Sequence, residues 1–176
     1  GTGNGTASPA DSSLGVSITG TLSAPSPGDN SGIQCEMFGI GAGSHNSGNN
    51  CVMVGFRAGQ NNTGKNPTSI GWNAGRFNTG GNAFNAGYRS GVNNTGDYAN
   101  NIGYIAGINN TGANANNIGN NAGVSNTGDN ANNIGTSAGN NNTGSFNNNI
   151  GYQAAKGITF GNANQVIGKV VTSVVP

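Results

Sequence analysis

Residues 100–115 read NNIGYIAGINNTGANA, and variants of this 16-residue string recur in register eight times between Phe38 and Ala163. Each copy carries Ile-Gly or a variant of it, Ala or Ser four residues after the Ile, and in most copies a closing Asn-Thr-Gly or Asn-Ser-Gly. The first members of the Ile-Gly pairs, here called the Ile column, are Phe38, Val54, Ile70, Ala86, Ile102, Ile118, Ile134 and Ile150. A short fixed period is typical of a solenoid, in which each repeat is one rung that packs against its neighbours. The sequence therefore predicts an all-β fold, a parallel β-solenoid (β-roll) with one rung per 16 residues and no helix longer than one turn.

The composition excludes several classes of function. The chain has 176 residues, of which 34 are Gly and only 6% are charged, against about 25% in an average protein. Its net charge of +1 gives no basic field, so a nucleic-acid partner is not expected. No apolar stretch approaches the roughly 20 residues that cross a bilayer, so membrane insertion is not expected either. Abundant Gly, Asn, Ser and Thr with few Lys and Glu indicate an extracellular, cell-surface or virion-surface protein.

The repeats divide the chain into three parts. Residues 1–29 form an N-terminal extension, residues 30–168 the solenoid and residues 169–176 a C-terminal apolar strand. The extension contains one predicted strand, because apolar side chains alternate with polar ones or Gly at Leu14, Val16, Ile18 and Leu22. The C-terminal segment is apolar at Val170, Val171, Val174 and Val175. Both are expected to pair with a neighbouring copy or to cap the roll, so deleting 1–29 or 168–176 is predicted to abolish ordered assembly.

Within a rung, the pattern predicts two short strands and two turns. The Ile column and the Ala four residues later are expected on the inward side, with Ile118 and Ile134 nearly fully buried. Asn-Thr-Gly is expected to form a turn in which Asn bonds nearby backbone and Gly takes a positive φ. On the other straight segment, Asn116, Asn117 and their equivalents are expected to stack as side-chain amide ladders.

A row of aromatic residues follows the Ile column at a distance of two residues. This aromatic row contains Phe56, Trp72, Tyr88, Tyr104 and Tyr152, with Ile40, Asn120 and Thr136 as its other members. Its regular spacing favours a surface on which copies of the chain meet, and a platform for a ligand is the alternative.

Two cysteines occupy the same position on neighbouring rungs, because Cys35 and Cys51 lie 16 residues apart. Stacked strands are about 4.8 Å apart, within the Cα separations of roughly 4.4–6.8 Å found in disulfides. Later rungs hold Ala83, Ala99 and Ala115 at this position, which is equally compatible with two small buried thiols. The sequence leaves both interpretations open, and a disulfide would indicate an oxidising compartment.

Residues with catalytic potential are few. His45 lies in a predicted turn and is interpreted as a structural surface residue. Asp97 and Asp129 share one position two rungs apart, which suits two solvated turn carboxylates better than a catalytic pair with one raised pKa. No Gly-rich phosphate loop and no cluster of metal ligands is recognisable. The chain is therefore predicted not to be an enzyme and to need no cofactor or metal.

The strings NNIGYIAGINNTGANA and NNIGYQA resemble the Asn/Gly-rich repeats of YadA-type trimeric adhesin heads and of related phage and viral fibre proteins. The resemblance covers about residues 38–163. It implies a parallel β-roll that associates with copies of itself as a trimer and attaches to a surface, where a host receptor or a glycan would be the partner.

Three functions are compatible with these observations. The first is a non-enzymatic structural subunit of a fibre or filament that assembles through its ends, its terminal strands or the aromatic row. The second is a receptor- or glycan-binding head of a tail fibre or adhesin. The third is an ice-binding solenoid, because Thr recurs once per rung at Thr63, Thr79, Thr95, Thr111, Thr127 and Thr143. These Thr residues lie in turns and not on a flat strand, which disfavours the third function.

Overall fold

The fold is an all-β parallel solenoid, as the repeats predict. The computed structural model describes residues 31–157 and 162–168. Nine strands of three residues follow one another along the chain: β1 (Glu36–Phe38), β2 (Val52–Val54), β3 (Thr68–Ile70), β4 (Phe84–Ala86), β5 (Asn100–Ile102), β6 (Asn116–Ile118), β7 (Asn132–Ile134), β8 (Asn148–Ile150) and β9 (Gln165–Ile167). They form one parallel sheet in sequence order, and no helix occurs in these two ranges.

The register follows the sequence period. From β1 to β8 each residue pairs with the residue 16 positions later, as in Asn116↔Asn132 and Ile118↔Ile134. Between β8 and β9 the step becomes 17, with Asn148 opposite Gln165. The extra residue therefore falls at the last described rung, after the regular repeats have ended.

Each rung contains one strand, so the prediction of two strands per rung is wrong. The rest of the rung is nevertheless bonded to its neighbours through backbone N–H donors. Gly59 N donates to Ala74 O at 2.8 Å, and Thr63 N donates to Asn78 O at 2.9 Å. With rungs about 4.8 Å apart, nine of them make a rod roughly 40 Å long.

The chain turns at left-handed corners, which explains much of its Asn content. A typical rung has three non-glycine residues with positive φ, as at Ile105 (60°), Asn109 (54°) and Asn114 (53°). Asn tolerates this conformation better than other residues because its side chain bonds locally. Ile105 is an exception, since a β-branched side chain is strained there.

The middle residue of each strand points inward, and the Ile column points outward. Asn117 is fully buried, whereas Asn116 and Ile118 on either side of it are only partly buried. Ile134 is 37% exposed. The prediction that Ile118 and Ile134 are nearly fully buried is therefore wrong. The Ala position is inward as predicted, since Ala58, Ala74, Ala106, Ala122, Ala138 and Ala154 have no exposed surface.

The interior is narrow at the inward strand position. The strand packs directly against the Ala-Gly turn of the same rung, and a Cβ added to Gly107 would overlap the Asn101 amide. The first two rungs fill the same space with unbranched Met37 and Met53, whose sulfur atoms lie against the equivalent glycines. A flat amide or a flexible thioether fits this gap.

Buried Asn side chains form two continuous ladders along the rod, of which the one through Asn117 was predicted and the one through the Asn-Thr-Gly turns was not. The strand ladder consists of Asn85, Asn101, Asn117, Asn133 and Asn149, and from Asn101 onward each Nδ2 donates to Oδ1 of the preceding rung at 2.8–2.9 Å. The turn ladder consists of Asn46, Asn62, Asn78, Asn94, Asn110, Asn126 and Asn142, linked in the same direction at 2.7–2.9 Å. Burying an amide is costly unless it is hydrogen-bonded, and the ladders supply those bonds.

The Asn-Thr-Gly turn follows its prediction in one respect and departs from it in another. Asn110 Nδ2 bonds the Gly112 carbonyl of its own turn at 2.9 Å, as expected. Gly112 does not have a positive φ, however. Glycine is required there because a Cβ would overlap the carbonyl oxygen of Gly128 on the next rung.

Candidate functional site

The candidate site is the outer face of the sheet, a surface that runs along the whole described rod. It is formed by the first and third residues of each strand and by the residue two positions further on. The third residues are the Ile column, and the residues two further on are the aromatic row. These side chains point outward because the strand alternates and its middle residue is committed to the interior.

The outer face exposes apolar side chains in an unbroken series. Ile70 is 42% exposed, Trp72 and Tyr104 are each 50% exposed, and Ile150 at the far end is 39% exposed. Scattered apolar residues are normal on a protein surface, but a contiguous series marks an interaction surface. The Ile column therefore belongs to the site, although its pattern predicted a core position.

The two halves of the outer face differ in the first residue of the strand. In β2 and β4 this residue is the apolar Val52 or Phe84 and in β3 it is Thr68, so the face is largely apolar across its width. In β5 to β8 it is Asn, and these residues form an outer ladder of Asn100, Asn116, Asn132 and Asn148 with links of 2.6–2.7 Å. The outer face is thus broad and apolar near β2–β4 and becomes a narrow apolar column beside amides near β5–β8.

The aromatic row lies where the sequence predicts it. Trp72, Tyr88, Tyr104 and Tyr152 are exposed, and Phe56 is half-buried. The rings are stacked along the rod axis. The Phe56 and Trp72 centroids are 4.3 Å apart, and those of Tyr88 and Tyr104 are 5.2 Å apart with planes inclined by 8°. Stacking in pairs covers one face of each of these four rings.

Cationic side chains lie next to the row in its first half. The Arg57 guanidinium lies 4.9 Å from the centroid of the Phe56 ring, a cation–π geometry. Arg89 occupies the same position of the rung two repeats later, directly after Tyr88. This half of the outer face therefore combines aromatic and cationic groups.

The carboxylates and the histidine are turn residues. Asp97 Oδ1 accepts a hydrogen bond from Gly81 N at 2.7 Å, and Asp129 Oδ1 accepts one from Ala113 N at 2.8 Å. Both carboxylates are exposed. His45 is exposed in a left-handed corner, with its Nδ1 2.9 Å from Ser44 Oγ. The interpretation of Asp97 and Asp129 as solvated turn residues is confirmed, and each caps a backbone donor of the preceding rung.

The remaining candidates have different outcomes. Cys35 and Cys51 are free thiols, Cys51 buried and Cys35 half-buried. The predicted terminal strands, 14–22 and 170–175, lie outside the described residues.

Among residues 31–157 and 162–168, no group of three or more His, Cys, Asp and Glu side chains comes together in a way that could hold a metal ion. The same ranges contain no helix of the length and apolarity that a membrane span requires.

Comparisons with known proteins found no match. No protein-family model matches the sequence, and no curated protein or solved structure matches it either.

One signal in the sequence indicated which strand position faces inward. Met37 and Met53 occupy the position that is Asn on the later rungs. Because these are the only two methionines of the chain and both fall in that position, it was the better candidate for the interior.

Proposed function

We propose that this chain is a non-enzymatic structural subunit of an extracellular or virion-surface fibre, and that copies of it associate side by side through the outer face. The observation that carries the proposal is the unbroken series of half-exposed apolar residues from β1 to β8. Contact between apolar surface and water is unfavourable by about 25 cal/mol for each Å². A second copy packed on the outer face would remove this surface from water.

The regularity of the face favours a copy of the same chain as partner. Each rung presents an equivalent apolar residue at the same height, so two or three identical rods can align rung against rung. Closed symmetric association of identical chains is the commonest form of protein assembly. The resemblance to trimeric adhesin heads favours three copies around one axis, with the apolar faces turned inward.

The orientation of the aromatic rings supports packing over sugar binding. A sugar that stacks on an aromatic residue needs access to the face of the ring. In the Phe56–Trp72 and Tyr88–Tyr104 pairs, the neighbouring ring already covers one face of each ring, so less ring face is left for a sugar than on an isolated aromatic residue. Ring edges pack well against aliphatic side chains such as Ile70, and this is the arrangement expected at a rod–rod interface.

The proposal is tested by a pair of matched double variants. Trp72→Asn/Tyr104→Asn removes two aromatic groups from the outer face and inserts the residue that Asn120 supplies at this position. Tyr98→Asn/Phe146→Asn removes two equally exposed aromatic groups elsewhere on the rung and likewise inserts a residue found in other repeats.

Sedimentation equilibrium and negative-stain imaging give the result. The unmodified chain and the Tyr98/Phe146 variant are expected to form the same oligomer, whereas the Trp72/Tyr104 variant is expected to dissociate at concentrations at least about tenfold higher. A monomeric unmodified chain, or equal association of both variants, would overturn the proposal.

A receptor- or glycan-binding head is the second candidate. It is favoured by the exposed Trp72 and by the arginines beside the aromatic row, which would suit an anionic or aromatic ligand. Glycan binding in solution by the Tyr98/Phe146 variant, lost in the Trp72/Tyr104 variant, would support it. The exposed Thr positions of the turns form a regular column, and a thermal hysteresis assay tests whether that column binds ice.

A further inference from the structure

We propose that Cys35 and Cys51 are the site of an intramolecular disulfide that joins the rung of β1 to the rung of β2. This inference does not depend on the proposed function, because it concerns the inner wall of the first two described rungs and not the outer face.

The backbone places the two cysteines opposite each other. Glu36 pairs with Val52 in the parallel register, and Cys35 and Cys51 directly precede them. Glu36 N donates to the Cys51 carbonyl at 2.8 Å, so the rungs are hydrogen-bonded at this point. A spacing of about 4.8 Å between stacked strands lies within the range of Cα separations that a disulfide tolerates.

The two thiols converge on one atom. Cys35 Sγ lies 3.3 Å and Cys51 Sγ 3.1 Å from the carbonyl oxygen of Gly48, and each thiol donates to it. Two sulfur atoms this close to the same oxygen are neighbours, and both point toward the interior of the roll. We therefore expect rotation about the side-chain bonds to bring the two sulfur atoms into bonding distance.

The same position at the far end of the rod shows what the cysteines do in the reduced state. Asn147 Nδ2 donates to Asn142 Oδ1 at 3.0 Å and to the Gly144 carbonyl at 2.9 Å. Cys51 Sγ makes the equivalent contacts with Asn46 Oδ1 at 3.8 Å and with Gly48. Contacts through sulfur are weak, so oxidation of the pair gives up little hydrogen bonding.

The chemistry is thiol–disulfide exchange with a small disulfide such as oxidised glutathione. The half-buried Cys35 thiolate attacks one sulfur of that molecule, and the other sulfur leaves as a thiolate. The Cys51 thiolate then attacks the Cys35 sulfur and displaces the second thiolate. The protein loses two protons and two electrons, and the external disulfide is reduced to two thiols.

The different burial of the two thiols indicates which of them reacts first. Burial, together with the neighbouring Cys35, raises the pKa of the Cys51 thiol. Cys51 is therefore the poorer first nucleophile and the resolving residue, and closure of the disulfide is expected to accelerate as the pH rises.

Cyanogen bromide cleavage tests the connection directly in the full chain. The two methionines of the chain are Met37 and Met53, so cleavage gives fragments 1–37, 38–53 and 54–176. After incubation with oxidised glutathione in dilute solution, the intact mass should fall by two hydrogen atoms and both thiols should resist alkylation. Fragments 1–37 and 38–53 should then stay joined until a reductant is added. Separate fragments, or 1–37 joined to a second 1–37, would overturn the proposal.

Hydrogen exchange tests the consequence for the fold. Closing a loop of this length is expected to slow exchange of the Glu36 amide by a factor on the order of 100 in the oxidised protein. The Cys35→Ala/Cys51→Ala variant carries the residue found in the middle rungs and should exchange at the same rate with and without reductant. Equal rates in oxidised and reduced unmodified protein would show that the two rungs are not tied.

Discussion

The rungs of β1–β4 and those of β5–β8 share one backbone and one register, but their interiors are filled differently. The inward strand position holds Met37, Met53, Ser69 and Asn85 in the first group, and only Asn in the second. The same space therefore accepts an apolar thioether or an amide. What the amide needs is an identical neighbour, because an Asn can satisfy both its donor and its acceptor only if the rungs on either side also carry Asn.

The ends of the two ladders show the same rule. Where the strand ladder begins, between β3 and β4, Asn85 Nδ2 and Ser69 Oγ are buried without a hydrogen-bond partner, and Asn149 Oδ1 is in the same state at the other end of the ladder. The turn ladder instead ends on Asn147, whose amide donates to Asn142 Oδ1. The unfavourable free energy of the strand ladder is thus concentrated at its two ends.

The largest expected effect comes from breaking the strand ladder in its middle. Asn117→Ala leaves Asn101 Oδ1 without a donor and Asn133 Nδ2 without an acceptor, so the free energy of unfolding should fall by about 3 kcal/mol or more. Asn85→Ala is the matched control, because it removes one link and also one unpaired donor. Chemical denaturation should show a clearly smaller loss for Asn85→Ala, and equal losses would mean that ladder continuity does not matter.

A smaller effect is expected from the outer face. Ile134→Asn alters a side chain that is 37% exposed in the single rod, so it should lower the free energy of unfolding of the monomer by no more than about 1.5 kcal/mol. A loss of several kcal/mol in the free energy of unfolding, measured on dissociated protein, would indicate that the Ile column lies in the interior. It would contradict the assignment of the inner and outer faces.

The smallest expected effect is a gain in stability. Ile105 holds a φ of 60°, in a position where Asn73 and Asn121 have φ values of 52° and 54° on other rungs. Ile105→Asn should relieve the strain and raise the free energy of unfolding by about 1 kcal/mol. Thermal unfolding should show a higher midpoint for Ile105→Asn and a lower midpoint for the reverse change, Asn121→Ile. A lower midpoint for Ile105→Asn would contradict the prediction.

The sequence predicted the rungs, their 16-residue register, the buried Ala position and the stacked amides, because each follows from the spacing alone. It did not predict which face of the strand is buried. In the string NNI, hydrophobicity places Ile118 inside and Asn117 outside, and that rule holds when each side chain is judged by itself. It fails here because Asn117 is bonded to copies of itself on both sides, and because Gly123 leaves room for its amide in a narrow interior.

The same reasoning explains what was and was not predictable about the site. The aromatic row was identified because aromatic residues recur at one fixed position of the 16-residue period. The Ile column was not predicted to belong to the site. Its residues are hydrophobic, and residue type alone assigned them to the interior. The stacking of Tyr88 on Tyr104 depends on ring orientation, and spacing carries no information about it.

The register has a consequence for how such a chain can change in length. Inserting one residue within the repeats would shift one rung against the next, so at that step an Asn would lose its ladder partner and a glycine the close contact that requires it. The single 17-residue step is found only after Asn149, where the strand ladder has already ended. Gene duplications or deletions are therefore tolerated in units of sixteen codons, each adding or removing about 4.8 Å of rod and one link of every ladder. Length is a quantised property of this molecule, and the half of the rod in which a rung is added decides which kind of outer face is lengthened.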